Sequence, residues 1–324
     1  MKMYFKLVVL VLVFCLGLAA GQFWQDKKLD DFSNGVSSIR ENNPQYKYIN
    51  PLLAVETPAG DYKDLKDLES KVQDKAASAK SQQMVNSISV YYRGSQTRWF
   101  DIGPDEKFIP ASLMKVPVMI AYYKQAEKNP GILDQKITYD GKQDLNKLEN
   151  IKPTQSIQPN QTYTAEQLIE YMIKYSDNNA AALLTERLDA NFFKGVLSDL
   201  GMPLPNSETD SFVTARMYAL TFRILYNGTY LSSDFSEKAL KLLTETDFKY
   251  GIDLGIQGVD VANKFGELSQ TQDDGTEIYE LHDCGLVYAK NRYFLCIMTK
   301  GKNFNNLRTT LEDVSRLIYD QVEK

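Results

Sequence analysis

The stretch Pro110-Ala111-Ser112-Leu113-Met114-Lys115-Val116-Pro117 sets a serine and a lysine three residues apart at the start of a long apolar-periodic run. Three residues is nearly one helical turn, so the Lys115 ammonium rises beside the Ser112 hydroxyl, where a desolvated, neutral amine accepts the hydroxyl proton. A helix start also leaves backbone N–H groups unpaired and carries positive partial charge, which favours an oxyanion next to Ser112. A serine that merely caps a helix, followed by a solvated lysine, accounts for the same spacing. The rest of the chain has to separate the two.

Val116, Ile120 and Tyr123 predict a helix from Ser112 to about Lys128, stopped by Asn129-Pro130-Gly131. Pro117 in its second turn has no N–H and frees the Leu113 carbonyl close to Ser112. Upstream, Tyr48–Val55 reads as a short strand and Leu65–Gln82 as a surface helix, while Val85–Tyr92 and Thr97–Ile102 form a hairpin about Arg93-Gly94-Ser95-Gln96. Downstream, Thr164 and Gln167 form a capping box for a helix ending at Tyr175, and a helix Asn178–Leu188 follows almost at once. Thr214–Tyr226, Ser236–Thr244 and Leu307–Val322 read as helices, and Val259–Leu268, His282–Lys290 and Arg292–Lys300 as strands. This order predicts an α+β fold. The N- and C-terminal parts complete one antiparallel sheet flanked by terminal helices, the middle forms a helical lobe, and a cleft lies between them.

The chain has 324 residues, 43% hydrophobic and 24% charged, as a globular protein with a sizeable core requires. Its formal charge of −5, which becomes −7 without Lys2 and Lys6, excludes a nucleic-acid partner. Those two lysines precede an apolar run, Leu7–Ala20, that ends in Ala19-Ala20-Gly21. Residues 1–21 are therefore expected to be a signal peptide or, counted from Tyr4 to Phe23, an uncleaved membrane anchor, and the body is exported. That places it in the periplasm, outside the cell, or facing outward from a membrane. Phe14 before Cys15 is too bulky for a lipidation signal, so no lipid is expected. Residues 22–45 read as a polar linker and 46–324 as the folded domain. Cys284 and Cys296 fall on consecutive strands. A turn centred between Lys290 and Asn291 sets Cys284 opposite Ile297 and Cys296 opposite Gly285, which predicts two free buried thiols. With His282 the only histidine, no metal site and no cofactor is expected.

Two further clusters carry chemistry. Tyr175-Ser176-Asp177-Asn178-Asn179 is a polar break between two helices, which capping alone would explain, and Asn263-Lys264-Phe265-Gly266-Glu267 puts a lysine inside a strand, where it usually marks a solvent edge. Together and in this order, Ser112-x-x-Lys115, Ser176-Asp177-Asn178 and Lys264-x-Gly266 resemble the three motifs of the penicillin-recognising serine acyl-transferases, whose members include class A β-lactamases and penicillin-binding proteins. The resemblance runs from about Tyr48 to the C-terminus, takes in Asn50-Pro51-Leu52-Leu53 and His282-Asp283-Cys284-Gly285, and is nearest to β-lactamase-related hydrolases of class A type. It implies a β-lactamase/transpeptidase-like fold.

Carried over by residue, the resemblance makes Ser112 the nucleophile, Lys115 its proton acceptor and Ser176 the relay to the leaving nitrogen. It makes Asn178 a donor to the acyl-side carbonyl and Lys264 a positive charge near a substrate carboxylate. The oxyanion hole would be the N–H groups of Ser112 and Glu267, with Gly266 allowing close approach. Asp177 holds the turn, and His282 either lines the back wall or completes a buried hydrogen bond. There are two departures. The loop after the Ser-Asp-Asn helix is short and carries only Glu208 where class A enzymes hold the glutamate that activates the deacylating water; Glu166 lies before Ser176 and is read as structural. Phe265 stands where the family usually has Thr or Ser, and strand alternation points it away from Lys264. The expected function is an exported serine hydrolase acylated on Ser112 by a β-lactam or a peptidoglycan-like amide, with deacylation impaired. The alternatives are a true β-lactamase with another deacylating group and a non-catalytic cell-wall binding or sensor module.

Overall fold

A computed structural model describes residues 37–40, 43–56, 63–94, 99–204, 212–256 and 258–323. The expected signal peptide or anchor and Glu208 lie outside the described residues. Two compact units separate, one containing Met1–Arg40 with Leu52–Tyr62, the other Glu41–Pro51 with Lys63–Lys324. In the first, β1 (Ser37–Arg40) pairs antiparallel with β2 (Leu52–Glu56), so part of the segment read as linker is a strand. The strand expected from Tyr48 begins only at Leu52. The N–H groups of Tyr48 and Ile49 donate instead to the Glu237 carboxylate at 2.8 Å, and that of Asn50 to the Tyr226 carbonyl.

The second unit is built on a five-stranded antiparallel sheet in the order β4 (Trp99–Ile102), β3 (Ser87–Gly94), β9 (Tyr293–Gly301), β8 (Glu277–Val287), β7 (Val261–Thr271). Side chains alternate across it. Phe294, Cys296 and Met298 of β9 join one apolar cluster, while Leu295 and Ile297 join the other. The second cluster packs under α1 (Lys63–Ser81) and the terminal helix α8 (Phe304–Val322), which supplies Leu307, Leu311, Val314 and Ile318. The first packs on α2 (Lys115–Ala126), α3 (Ala165–Lys174), α4 (Asn178–Thr185), α5 (Ala190–Asp199), α6 (Ala215–Tyr226) and α7 (Ser233–Thr244). A sheet covered on both faces explains why β9 reads as an almost unbroken apolar run. This is the α+β architecture that the pattern predicts.

Three local features differ from expectation. The helix expected from Ser112 is a 3₁₀ turn over Ala111–Met114, and the α-helix begins only at Lys115. The small hairpin of β5 (Lys136–Tyr139) with β6 (Gln161–Thr164), and α5, capped by Asp189 on the Phe192 N–H, were not anticipated. Finally, Cys284 and Cys296 are not free thiols: they face each other across β8 and β9 and form a disulfide. Five residues, 288–292, connect the strands, so the turn centres on Lys290 itself and the register moves by one residue. That single step brings the two sulfurs to the same face.

Candidate active site

The 3₁₀ turn over Ala111–Met114 runs directly into α2, so Ser112 and Lys115 stand about one turn apart along it. It is entered through Ala111 at φ +47°, a left-handed backbone that costs a non-glycine residue on the order of 1 kcal/mol. Two residues earlier, Ile109 is fixed at both ends. The Ile109 N–H donates to Glu280 Oε2 at 2.9 Å, and His282 Nε2 lies 3.1 Å from the Ile109 carbonyl. His282 is thus fully buried behind the Ser112 turn, edge-on to Phe108 and beside Glu280. Burial alone would raise the Glu280 carboxyl, but His282, the Ile109 N–H and Lys300 together hold it below its usual range. The Leu113 carbonyl, freed by Pro117, accepts from the buried Tyr218 hydroxyl at 2.8 Å.

Ser176 lies between α3 and α4. The capping box is present, with the Gln167 N–H on Thr164 Oγ1 and the Thr164 N–H on Gln167 Oε1, and it fixes the start of α3. Ser176 takes φ +57°, the second left-handed non-glycine residue at this site. Asp177, fully buried, caps α4 through the Asn179 and Ala180 N–H groups, and also accepts from Asn146 Nδ2 and the Ile157 N–H. A carboxylate with four donors, three on Oδ1 and one on Oδ2, holds its turn.

Lys115 and Lys264 converge on Ser176. Lys115 Nζ lies 3.0 Å from Ser176 Oγ, 2.6 Å from the Ser176 carbonyl and 2.6 Å from Asn178 Oδ1. Lys264 Nζ lies 2.9 Å from the same Oγ and 3.0 Å from the Phe265 carbonyl. Desolvation lowers the Lys115 ammonium to about 8, against the pull of Glu149, Asp177 and Glu267. Burial, and then the neighbouring Lys115 charge, push Lys264 well below its ordinary value. Two ammonium groups cannot both stay protonated around one hydroxyl at low cost. If Lys115 is neutral, its lone pair can take a proton. If both lysines donate to Oγ, the Ser176 proton is turned away from them and is free to leave.

β7 is an edge strand, and its Phe265 carbonyl points away from β8, since it accepts from Lys264 Nζ. Alternate residues of an antiparallel strand share that direction, so the Glu267 N–H faces the same open edge. Gly266 brings the edge against the Ser112 turn: a Cβ there would stand 2.7 Å from the Pro110 carbonyl and 3.0 Å from Leu113 Cγ. Phe265 is buried and stacked on Phe248 with centroids 4.0 Å apart, as alternation predicts. Its ring is not remote from Lys264, however, for Nζ sits 4.0 Å from the ring centroid.

Asn178 bonds Lys115 through Oδ1, but its Nδ2 donates to Glu149 Oε1 and, at 3.4 Å, to the Leu145 carbonyl. Sequence reasoning passed over both Glu149 and Asn146, whose Oδ1 accepts the Asn178 N–H at 2.8 Å. They lie in a polar segment without periodicity, so no sequence signal marks them. Glu166 accepts from Tyr123 and pairs with Lys238, a contact between helices away from these groups.

Residues 67–322 of the sequence match the family described as the β-lactamase enzyme family. No curated protein matches the chain. Among solved structures, a PBP-A mutant captured as an acyl-enzyme complex with penicillin-G is 22% identical, with a TM-score of 0.64 over 79% of this chain and 96% of that one. A β-lactamase from Sphaerobacter thermophilus gives 17% identity and a TM-score of 0.62 over 80% and 96% of the two chains. The TLA-1 extended-spectrum β-lactamase gives 16% and 0.66 over 81% and 100%.

Proposed function

The chain belongs to the β-lactamase enzyme family, and on that premise we propose that it is an exported serine hydrolase acylated on Ser112 by a β-lactam or a peptidoglycan-like amide. The observation that carries this reading is the single Ser176 hydroxyl held between Lys115 Nζ and Lys264 Nζ. Neutral Lys115 takes the Ser112 proton as Oγ attacks the carbonyl carbon. The N–H groups of Ser112 and Glu267 hold the oxyanion. Collapse breaks the bond to nitrogen, which receives the Ser176 proton, and Ser176 is reprotonated from Lys115. Export rests on the Lys2, Lys6 and Leu7–Ala20 pattern.

Hydrolysis of the acyl-enzyme is slow in this reading, because Glu208 is the only glutamate in its loop and lacks the pattern found in class A enzymes. Losing a positioned base typically costs on the order of 10²–10⁴ in rate. The test is intact-mass spectrometry after prolonged incubation with penicillin-G, followed over time. One equivalent of persistent adduct is expected, mapped by digestion to Ser112 and absent from Ser112→Ala. Many turnovers of a chromogenic cephalosporin would overturn slow deacylation. Binding without any adduct would overturn acylation and favour a non-catalytic cell-wall binding module.

A further inference from the structure

The side of the site facing Asn178 is acidic in a way that none of the three motifs requires. Glu149 reaches Asn178 Nδ2 from the segment after the 3₁₀ turn Leu145–Leu148, and Glu267 reaches the same segment from β7, its Oε1 accepting from the Ile151 N–H at 2.7 Å. Asn150 Nδ2 ties the segment to Ser269 Oγ at 2.7 Å, so both glutamates are held in place along the open edge of β7. Glu267 is only 5% exposed, and among the described residues its Oε2 has no hydrogen-bond donor. A buried carboxylate oxygen without a donor, beside a candidate nucleophile, calls for a donor from a ligand.

The nearby cations do not supply it. Lys115 and Lys264 are both occupied around Ser176, and the ammonium of Lys152, on the same segment, bonds the Asn146 and Lys147 carbonyls. The Phe265 ring lies against Lys264 where the family's hydroxyl would help bind a carboxylate. Burial raises the Glu267 carboxyl to about 7, against the Ile151 N–H and the Asn150 amide, and the nearby Glu149 charge adds to the rise. A ligand ammonium brings several donors and a positive charge, and so satisfies both carboxylates.

We infer that Glu149 and Glu267 form a cation-accepting subsite beside Asn178, so that the amide attacked by Ser112 carries an amino-bearing, lysine-like side chain on its acyl residue. This rests on the acyl-transfer reading above and narrows its substrate class. Penicillin-G, with no ammonium on its acyl side, then labels Ser112 slowly, whereas a donor carrying a carboxylate there is repelled.

The test uses the full chain and three thiobenzyl esters, Nα-acetyl-lysyl, Nα-acetyl-norleucyl and Nα-acetyl-glutamyl, each as both enantiomers and read by thiol release. The lysyl ester should exceed the glutamyl ester by at least about tenfold in kcat/KM. In the double variant Glu149→Gln with Glu267→Gln, that ratio should fall toward one. A wild-type ratio of one or less, or a ratio unchanged in the variant, would overturn the inference. The same comparison is made by equilibrium binding to Ser112→Ala, with Nα-acetyl-lysinamide against the α-amide of Nα-acetyl-glutamate. If no ester acylates Ser112, the acyl-transfer reading fails, and this binding arm still decides the subsite. Tighter binding of the lysinamide, lost in the double glutamine variant, upholds it, and equal binding overturns it.

Discussion

β7 and β8 carry two buried polar networks on opposite faces of one strand pair, and they are built differently. On the face toward α8, Asp283 accepts from Asn263 Nδ2 at 2.9 and 3.0 Å and from the Ile252 N–H at 2.9 Å, while Ser315 Oγ donates to the Ile252 carbonyl. Gly251, at φ +85°, closes over it, for a Cβ there would stand 2.7 Å from Asp283 Oδ2. On the other face, Lys264 meets Lys115 over a single hydroxyl, next to two left-handed residues. The first network is an anchor with both carboxylate oxygens matched. The second holds like charges and strain together, which is how a fold keeps groups ready to exchange protons.

The sharpest way to break this contrast is Lys115→Ala, which should slow acylation of Ser112 on the order of 10²–10⁴ while leaving the fold in place. In the wild-type protein the acylation rate should rise with pH and level off above about 8, because Lys115 accepts a proton only once it has lost its own. A rate that is flat across that range would remove Lys115 as the base.

Asp283→Ala should do the reverse. It strands the Ile252 N–H and the Asn263 amide at a cost of about 3 kcal/mol in denaturant unfolding, while molecules that remain folded acylate at the normal rate. Burial raises the Asp283 carboxyl from 3.8 to about 7, so the native state binds this proton more tightly than the unfolded chain does. Its contribution is complete below 3.8 and is lost as pH rises toward about 7; Asp283→Asn should flatten that part of the stability profile.

Smaller effects probe the close approach and the strain. In Gly266→Ala the new Cβ meets the Pro110 carbonyl, which should cost about 1–3 kcal/mol and slow acylation by displacing the 3₁₀ turn. Ala111→Gly should raise stability by about 1 kcal/mol in thermal unfolding, because glycine adopts a positive φ without strain. If acylation also slows in that variant, the strain at Ala111 holds Ser112 in position.

Much of the fold was legible because it rests on local pattern. The Thr164–Gln167 box, the apolar stripe of α8 and the inward packing of Phe265 follow from side-chain spacing. The misreadings share a cause. A strand carries no mark of its register, so the disulfide hinged on whether the connection to β9 centred on a residue or on a bond. The 3₁₀ turn is set by a left-handed Ala111 and by Ile109 held between Glu280 and His282, residues that are far away in sequence. Glu149 has no periodic or motif context and acquires a role only where its loop crosses the edge of β7.

By itself the sequence determined which chemical groups are present and in what order: a serine and lysine one turn apart, a hydroxyl between helices, a lysine followed by a glycine on a strand. Only the tertiary structure decided how they share protons. Hydroxyl and ammonium groups acquire shifted affinities when burial removes water and brings like charges together, and those conditions come from chain segments that no local pattern connects.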